Sequence, residues 1–232
     1  MSLNAVVIFF EIVVLILAFS VHECAHAWTA WRLGDPTARM LGRVTLNPVK
    51  HLDLIGSILV PLISLVYGNF LIGWAKPTPV TGRNFKNYRR DDILVTLAGP
   101  ASNLLSATIA LILLIVIKHV LPAGDASIAT AMAIATHIPG VATEGLPAFF
   151  PIALFLYLVI SINLLLFVFN LLPLPPLDGS HILRHFLPYK AAQLYDRMGM
   201  FALIIIFLLG GRFIAAFFYP LYNVFNRILF SV

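Results

Sequence analysis

The stretch NAVVIFFEIVVLILAFSVHECAH, residues 4–26, is an apolar run that ends in two histidines and a glutamate. Between residues 4 and 21 the only charged side chain is that of Glu11. A run of about 20 apolar residues is long enough to cross a bilayer as a helix. Ionisable side chains are costly at membrane depth and, where they occur, usually mark a functional site. The stretch therefore predicts a membrane helix that carries chemistry at one end.

The composition of the whole chain agrees with a membrane protein. Of its 232 residues, 60% are hydrophobic and 11% are charged, with a mean hydropathy of +0.96, whereas roughly a quarter of the residues of a soluble domain are charged. Further apolar stretches cover residues 54–75, 93–117, 145–177 and 198–219. We expect an all-α polytopic membrane protein with about five to six transmembrane or re-entrant helices.

The chain has no internal repeat and no segment of soluble-domain size, which predicts a single domain over residues 1–232. We expect a catalytic core at about 4–179 and C-terminal helices at about 190–230. The first apolar run lacks a basic start and a small-residue cleavage site, so we do not expect a removable signal peptide. The single cysteine, Cys24, rules out an internal disulfide and argues against a cysteine metal cluster.

The basic residues predict the orientation in the membrane. Twelve of the fifteen lie in 32–50, 76–90 and 184–197, and lysine and arginine concentrate on the cytoplasmic side. We therefore place these stretches in the cytoplasm, and orientation rather than nucleic-acid binding explains the net charge of +5. We therefore expect residues 54–75 to enter and leave the membrane on one side as a re-entrant or hairpin element, with an ordinary tilted span as the alternative.

The HECAH segment has the spacing of a metal site. His22 and His26 lie four residues apart, on one face of a helix, and can hold one metal ion. Glu23 beside them can act as a general base toward water, as in zinc peptidases with the HExxH pattern. The alternative is a pair of structural histidines with hydrogen-bonded neighbours and a buried glutamate.

A catalytic zinc usually has three protein ligands, so a third must come from elsewhere in the chain. The best candidate is Asp178, which follows a long apolar stretch in FNLLPLPPLDGSHILRHF, residues 169–186. By the predicted topology it lies at the inner end of its helix, as His22 does. The prolines before Asp178 predict an extended segment that turns it toward the other helices. The alternative is a simple helix terminator followed by a turn.

With these motifs the chain resembles the site-2 protease family of intramembrane zinc metalloproteases. The resemblance rests on HECAH and NLLPLPPLDG, residues 170–179, and on the weaker AGPASNLL, residues 98–105. It implies one Zn²⁺ per chain held by His22, His26 and Asp178, with Glu23 as the base. The chain resembles the compact branch that lacks PDZ and CBS domains.

The resemblance also suggests how substrate is bound. Asn103 and Asn170 resemble polar residues of the family that bind substrate backbone or a developing oxyanion, although both could instead make interhelical hydrogen bonds. The segments LGRVTLN, 41–47, and GWAKPTPV, 73–80, predict short membrane-associated β-strands that hold substrate by strand addition. The alternative is that both are basic surface loops.

The implied substrate is a transmembrane protein or peptide within the lipid bilayer. The expected location is the cell membrane, with several spans and an active site near the cytoplasmic leaflet. Two rival functions remain open: a metal-ion transporter that uses His and Glu on broken helices, and a non-catalytic scaffold with a closed, structural zinc site. The sequence predicts neither the identity of the substrate nor the oligomeric state.

Overall fold

The structure is a computed structural model that describes residues 3–68, 73–138, 145–197 and 199–232. The described residues are mainly helical. Their α-helices are α1 (Leu3–Arg32), α2 (Thr37–Met40), α3 (Val60–Gly68), α4 (Tyr88–Val120), α5 (Gly124–Ala135), α6 (Phe150–Asn170), α7 (Asp178–Arg184), α8 (Tyr189–Arg197) and α9 (Gly199–Ser231). Short 3₁₀-helices cover Pro48–Lys50 and Gly82–Asn84, and Ile55–Leu59 is a π-helix.

Three of these helices, α1, α4 and α6, are long and apolar enough to cross a membrane. At 1.5 Å per residue, the 21 residues of α6 span about 32 Å, close to the thickness of the hydrocarbon core. The Asn87 side chain caps the start of α4 by accepting a hydrogen bond from the Arg90 N–H. The helical membrane fold is therefore confirmed. The expected number of five to six spanning or re-entrant helices is not.

The long helices form a bundle in which α4 packs against both α1 and α6. Their facing sides supply most of the core, to which α5 and α9 add side chains such as Ile128 and Leu229. Within the bundle, Tyr157 of α6 contacts the hydroxyl of Tyr222 and donates a hydrogen bond to Asn226 of α9. The C-terminal helix is thus tied to the helices that carry the site.

The two ends of the segment 54–75 lie next to each other. The Trp74 N–H donates to the Gly56 carbonyl at 3.0 Å, and a Cβ at Gly56 would meet the Trp74 indole at 2.3 Å. A single crossing would put the ends of this segment about 30 Å apart. The contacts fit the predicted hairpin rather than a tilted span, although residues 69–72 at its tip lie outside the described residues.

The expected β-strands are not confirmed, because the described parts of the chain contain none. Residues 41–47 form turns and bends, whereas residues 73–81, called the strap below, have no regular secondary structure, and the extended backbone of Thr81 leads into the 3₁₀ turn Gly82–Asn84. Pro77 and Pro79 have no N–H with which to build a ladder. The strap is held by separate contacts with several segments instead of by one partner strand.

The segment before Asp178 also differs from the prediction. Residues 171–177 form consecutive turns, with hydrogen bonds from the Leu174 N–H to the Leu172 carbonyl and from the Leu177 N–H to the Leu174 carbonyl. The fixed φ of proline suits turns as well as extended chain. A Cβ at Gly179 would meet the Leu171 carbonyl oxygen at 2.3 Å. Glycine therefore allows the start of α7 to pack directly against the end of α6.

Candidate metal centre

Three side chains from distant parts of the sequence converge between α1 and α7. His22 and His26 lie one turn apart on α1, and Asp178 is the first residue of α7. The two histidine Nε2 atoms are 3.0 Å apart. Asp178 Oδ2 lies 3.1 Å from His22 Nε2 and 3.4 Å from His26 Nε2. The structure thus brings together the three residues singled out as metal ligands in the sequence.

Hydrogen bonds on the far side of each ring fix how the histidines are oriented. His26 Nδ1 lies 2.7 Å from the Val95 carbonyl oxygen, which can only accept. His22 Nδ1 lies 2.6 Å from Asn103 Oδ1. Each Nδ1 is therefore the protonated nitrogen, and each Nε2 presents a lone pair toward the other ring and toward Asp178.

Three acceptor atoms that face one another make a favourable site for a cation. Asp178 Oδ2 is buried and receives no hydrogen bond from the described residues. Zinc prefers imidazole nitrogen and carboxylate oxygen at about 2.0–2.1 Å, and its tetrahedral ligand atoms lie roughly 3.3 Å apart. The observed separations of 3.0, 3.1 and 3.4 Å fit this arrangement. The donor set suits zinc and leaves a fourth position for water or substrate.

Gly99 of α4 faces this centre. A Cβ built on Gly99 would lie 2.4 Å from His26 Nε2 and 2.5 Å from His22 Nε2. These are nearly the distances at which a metal ion would lie from the same atoms. The missing side chain therefore leaves space that an ion bound to both histidines would need.

Glu23 lies beside the histidines and is held by the strap. Its Oε2 accepts a hydrogen bond from the Thr78 N–H at 2.7 Å. The Thr78 hydroxyl donates to the main-chain carbonyl of Glu23 at 3.0 Å. The carboxylate is thus oriented next to the candidate metal ligands, while Oε1 has no hydrogen-bond partner among the described residues.

The two asparagines named from the sequence occupy different positions. Asn103 is fully buried behind His22, and its amide donates to Asn163 Oδ1 of α6 at 2.9 Å. Asn163 in turn donates to the Val159 carbonyl. Asn103 thus makes an interhelical hydrogen bond, which was the alternative to a contact with substrate. A chain of hydrogen bonds anchors His22 to α6.

Asn170 lines a cavity of about 490 Å³ that also contains the metal-ligand cluster. Its Nδ2 donates to the Leu166 carbonyl at 3.0 Å, within its own helix. The cavity is also lined by strap residues and by Phe19, Val95, Thr96, Leu166 and Leu177. The arrangement can place a polypeptide against Glu23 and the metal ligands in a largely apolar setting.

Sequence reasoning missed three contributors to the site. Asn163 had a signal, since it is an isolated amide in a long apolar helix. Gly99 lay within the quoted AGPASNLL segment, but its role depends on packing between α1 and α4. Thr78 had no signal of its own, because its contact with Glu23 joins residues 55 positions apart.

Comparisons with known proteins agree with a metalloprotease site. The family model of peptidase family M50 matches residues 10–210. The "Putative zinc metalloprotease YwhC" of Bacillus subtilis (strain 168) is 44% identical over 177 residues, which cover 76% of this chain and 68% of the relative.

Two proteins named Rip2, also described as zinc metalloproteases, match more distantly. The protein of Mycolicibacterium smegmatis is 34% identical over 96 residues, or 41% of this chain and 36% of its own length. The protein of Mycobacterium tuberculosis (strain H37Rv) is 28% identical over 198 residues, or 84% of this chain and 63% of its own length. The chain thus spans less than two thirds of either Rip2 protein. No solved structure matches it significantly.

Proposed function

Because the chain belongs to peptidase family M50, the site-2 proteases, we propose that His22, His26 and Asp178 hold its zinc and that Glu23 is its general base. The protein is an intramembrane zinc metalloprotease. The observation that carries the assignment of residues is the convergence of three acceptor atoms beside an oriented glutamate. The comparisons give no support to a metal-ion transporter.

Bound zinc supplies the Lewis acidity that makes water nucleophilic at neutral pH and that polarises a peptide carbonyl. Glu23 takes the proton of the attacking water as the C–O bond forms, and gives it to the leaving amine as the C–N bond breaks. The hydrogen bond from Thr78 keeps the carboxylate in place for both transfers. The apolar cavity wall limits access by other water.

The histidines and their partners keep the site ready for this reaction. The Val95 carbonyl holds the His26 ring, and Asn103 holds the His22 ring, each through Nδ1. Partners of this kind fix the tautomer and raise the basicity of the ligand nitrogen. Asn103 therefore acts on the metal through His22. Of the two asparagines, only Asn170 lines the cavity, so we propose that Asn170 contacts the substrate backbone or the oxyanion.

Membership of the family implies substrates embedded in the lipid bilayer. We propose transmembrane helices as these substrates, cleaved within or near the membrane in the course of regulated intramembrane proteolysis. The concentration of basic residues in 32–50, 76–90 and 184–197 supports a multi-pass protein of the cell membrane with its site near the cytoplasmic leaflet. The proposal treats residues 1–232 as one domain with its catalytic core at about 4–179, and the packing of α9 on the bundle supports this unity.

The experiment that tests the function is cleavage of a membrane-embedded helix by the Glu23→Gln variant. The amide keeps the size of the side chain but cannot accept a proton. We expect zinc content equal to that of the wild type and a rate of cleavage about 100- to 10,000-fold lower. Zinc is measured by mass spectrometry of the purified protein, and the ends of the products are mapped by mass.

Each rival function gives a different result in that assay. A transporter would cleave none of several substrates, whether or not Glu23 was changed, and would move metal ions across vesicles. A scaffold with a structural zinc would show neither activity. Cleavage by Glu23→Gln at the wild-type rate would remove Glu23 from the role of base.

A further inference from the structure

The strap lines the cavity beside the candidate metal centre, and other segments of the chain bind its backbone groups. The Trp74 and Lys76 N–H groups donate to the carbonyls of Gly56 and His51 at 3.0 and 2.8 Å. At its C-terminal end the Thr81 N–H donates to Asp35 Oδ2 at 2.7 Å. Contacts on three segments fix the path of the strap, so it forms a rigid part of the site.

Arg43 binds two backbone carbonyls of the strap. Its Nη2 donates to the Lys76 carbonyl at 3.0 Å and to the Pro77 carbonyl at 2.6 Å. Its Nη1 donates to the Lys50 carbonyl. The planar fork of a guanidinium can join two segments in this way, which a lysine ammonium does less well. Arg43 therefore joins the strap to the loop before the hairpin.

The burial of Arg43 is costly. The residue is 6% exposed, and no carboxylate of the described residues lies within ion-pair distance of it. A buried charge without a counter-ion is retained only where its hydrogen bonds compensate. Backbone carbonyls provide that compensation here. An arginine in such a position points to a requirement beyond filling space.

The decisive feature is one peptide group, the one that joins Pro77 to Thr78. Its carbonyl accepts from Arg43, and its N–H donates to the carboxylate of Glu23. A peptide group is planar, and its C=O and N–H point in opposite directions in the trans form. Hydrogen bonds in series polarise one another. Arg43 thus both orients the N–H that holds Glu23 and strengthens it as a donor.

We propose that Arg43 is a positioning residue for peptide cleavage, because it fixes the peptide group between Pro77 and Thr78 that orients the Glu23 carboxylate. The inference rests on the proposed role of Glu23 as base. Arg43 does not touch the metal ligands or the cavity that holds them. Its loss should therefore affect the catalytic step more than zinc binding or substrate binding.

The test compares Arg43→Gln and Thr78→Pro with the wild type, using the full chain in detergent with bound zinc. Thr78→Pro removes the N–H that reaches the Glu23 carboxylate, together with the hydroxyl that donates to the Glu23 carbonyl, and leaves Arg43 in place. We expect both variants to keep one zinc and a KM within about twofold of the wild type, while kcat falls roughly 10- to 100-fold. Arg43→Lys should lose less than Arg43→Gln, since it retains a charged donor.

The double variant separates positioning from a general effect on the fold. Because Arg43 is proposed to act on Glu23 only through the Thr78 N–H, which Thr78→Pro removes, the double variant should be no slower than Thr78→Pro alone. Losses that multiply would instead show two independent effects and overturn the proposal. Arg83→Gln is the matched control, since Arg83 is exposed, lies two residues beyond the strap and makes no side-chain hydrogen bond or ion pair among the described residues.

Other outcomes would also contradict the role of Arg43. An unchanged kcat in Thr78→Pro would do so even if Arg43→Gln failed to fold. A raised kcat would show that the strap restrains Glu23 rather than positioning it. Glu23→Gln, assayed in parallel, keeps the two claims apart. If that variant is inactive while the strap variants are normal, only the present inference fails, whereas its full activity would refute Glu23 as the base.

Discussion

Gly99 gives a sharp prediction at the scale of a single atom. Gly99→Ala places a methyl group 2.4–2.5 Å from both Nε2 atoms, in the space that the zinc needs. We expect the purified variant to have lost nearly all of its zinc and its proteolytic activity. The control is Gly211→Ala, because a Cβ there meets nothing within 4 Å. Full zinc in Gly99→Ala would show that the ion lies elsewhere.

Asn103 and Asn170 should differ in what their replacement affects. Asn103→Ala removes the acceptor that orients His22, and partners of metal ligands usually contribute 10- to 100-fold to metal affinity. We expect zinc affinity to fall by roughly that factor, as measured by competition with a chelator. Asn170→Ala should retain the wild-type affinity and lose cleavage rate. Equal zinc affinity in both variants would remove Asn103 from its orienting role.

Asp35 gives a prediction about pH at the junction between α1 and the strap. The residue is fully buried. Burial by itself would raise its pKa, but hydrogen bonds from the Thr37 hydroxyl, the Thr81 N–H and the Asn84 amide, together with one from the Thr37 N–H, bring the pKa below the usual range. A carboxyl whose pKa is lower in the folded state stabilises the fold above its unfolded pKa of about 3.9.

The Asp35→Asn variant tests this. We expect a loss of about 1–3 kcal/mol in the free energy of unfolding at pH 7, since the amide can accept fewer of these bonds. The difference from the wild type should shrink as the pH falls through 3.9, where the wild-type carboxyl begins to lose its advantage. Thermal unfolding in detergent between pH 3 and 7 measures it. A difference independent of pH would assign the effect to packing.

At the scale of elements, the hairpin makes a prediction about topology. The Gly56 carbonyl and the Trp74 N–H are hydrogen-bonded, so the segments before and after the hairpin should lie on the same side of the membrane. Cysteines placed at 47 and 86, in a Cys24→Ala background, should both be labelled only after the membrane is made permeable. Labelling of position 86 from outside intact cells would require a simple span at 54–75.

The elements also show why the sequence predicted some features and not others. The membrane helices follow from long apolar runs, and the shared face of His22 and His26 on α1 follows from helical spacing. The sequence predicts a strand for the strap, and the structure shows none there. The prolines prevent a regular ladder, and the composition of the strap does not reveal that Arg43 binds its backbone in place of a partner strand. Contacts between Glu23 and Thr78, or Asn103 and Asn163, join residues 55 and 60 positions apart. They depend on packing that no local pattern encodes.

At the scale of the whole molecule, the site depends on the meeting of two distant segments. His22 and His26 come from the first helix, and Asp178 comes from the turn after α6, more than 150 residues later. Packing of α4 between α1 and α6 brings them together, and Gly99 and Gly179 permit the close approach. Asp178, the predicted third ligand, lies 3.1 and 3.4 Å from the two histidine Nε2 atoms, and its role in binding zinc stays a prediction.

The most direct test of this account is the zinc content of Asp178→Ala beside that of the wild type, measured by mass spectrometry on protein purified without added metal. Asp178 is the ligand that only the folded bundle can supply to the two histidines. The account predicts one zinc per wild-type chain and almost none in Asp178→Ala, with both proteins equally helical by circular dichroism. A full equivalent of zinc in Asp178→Ala would contradict the proposed metal centre.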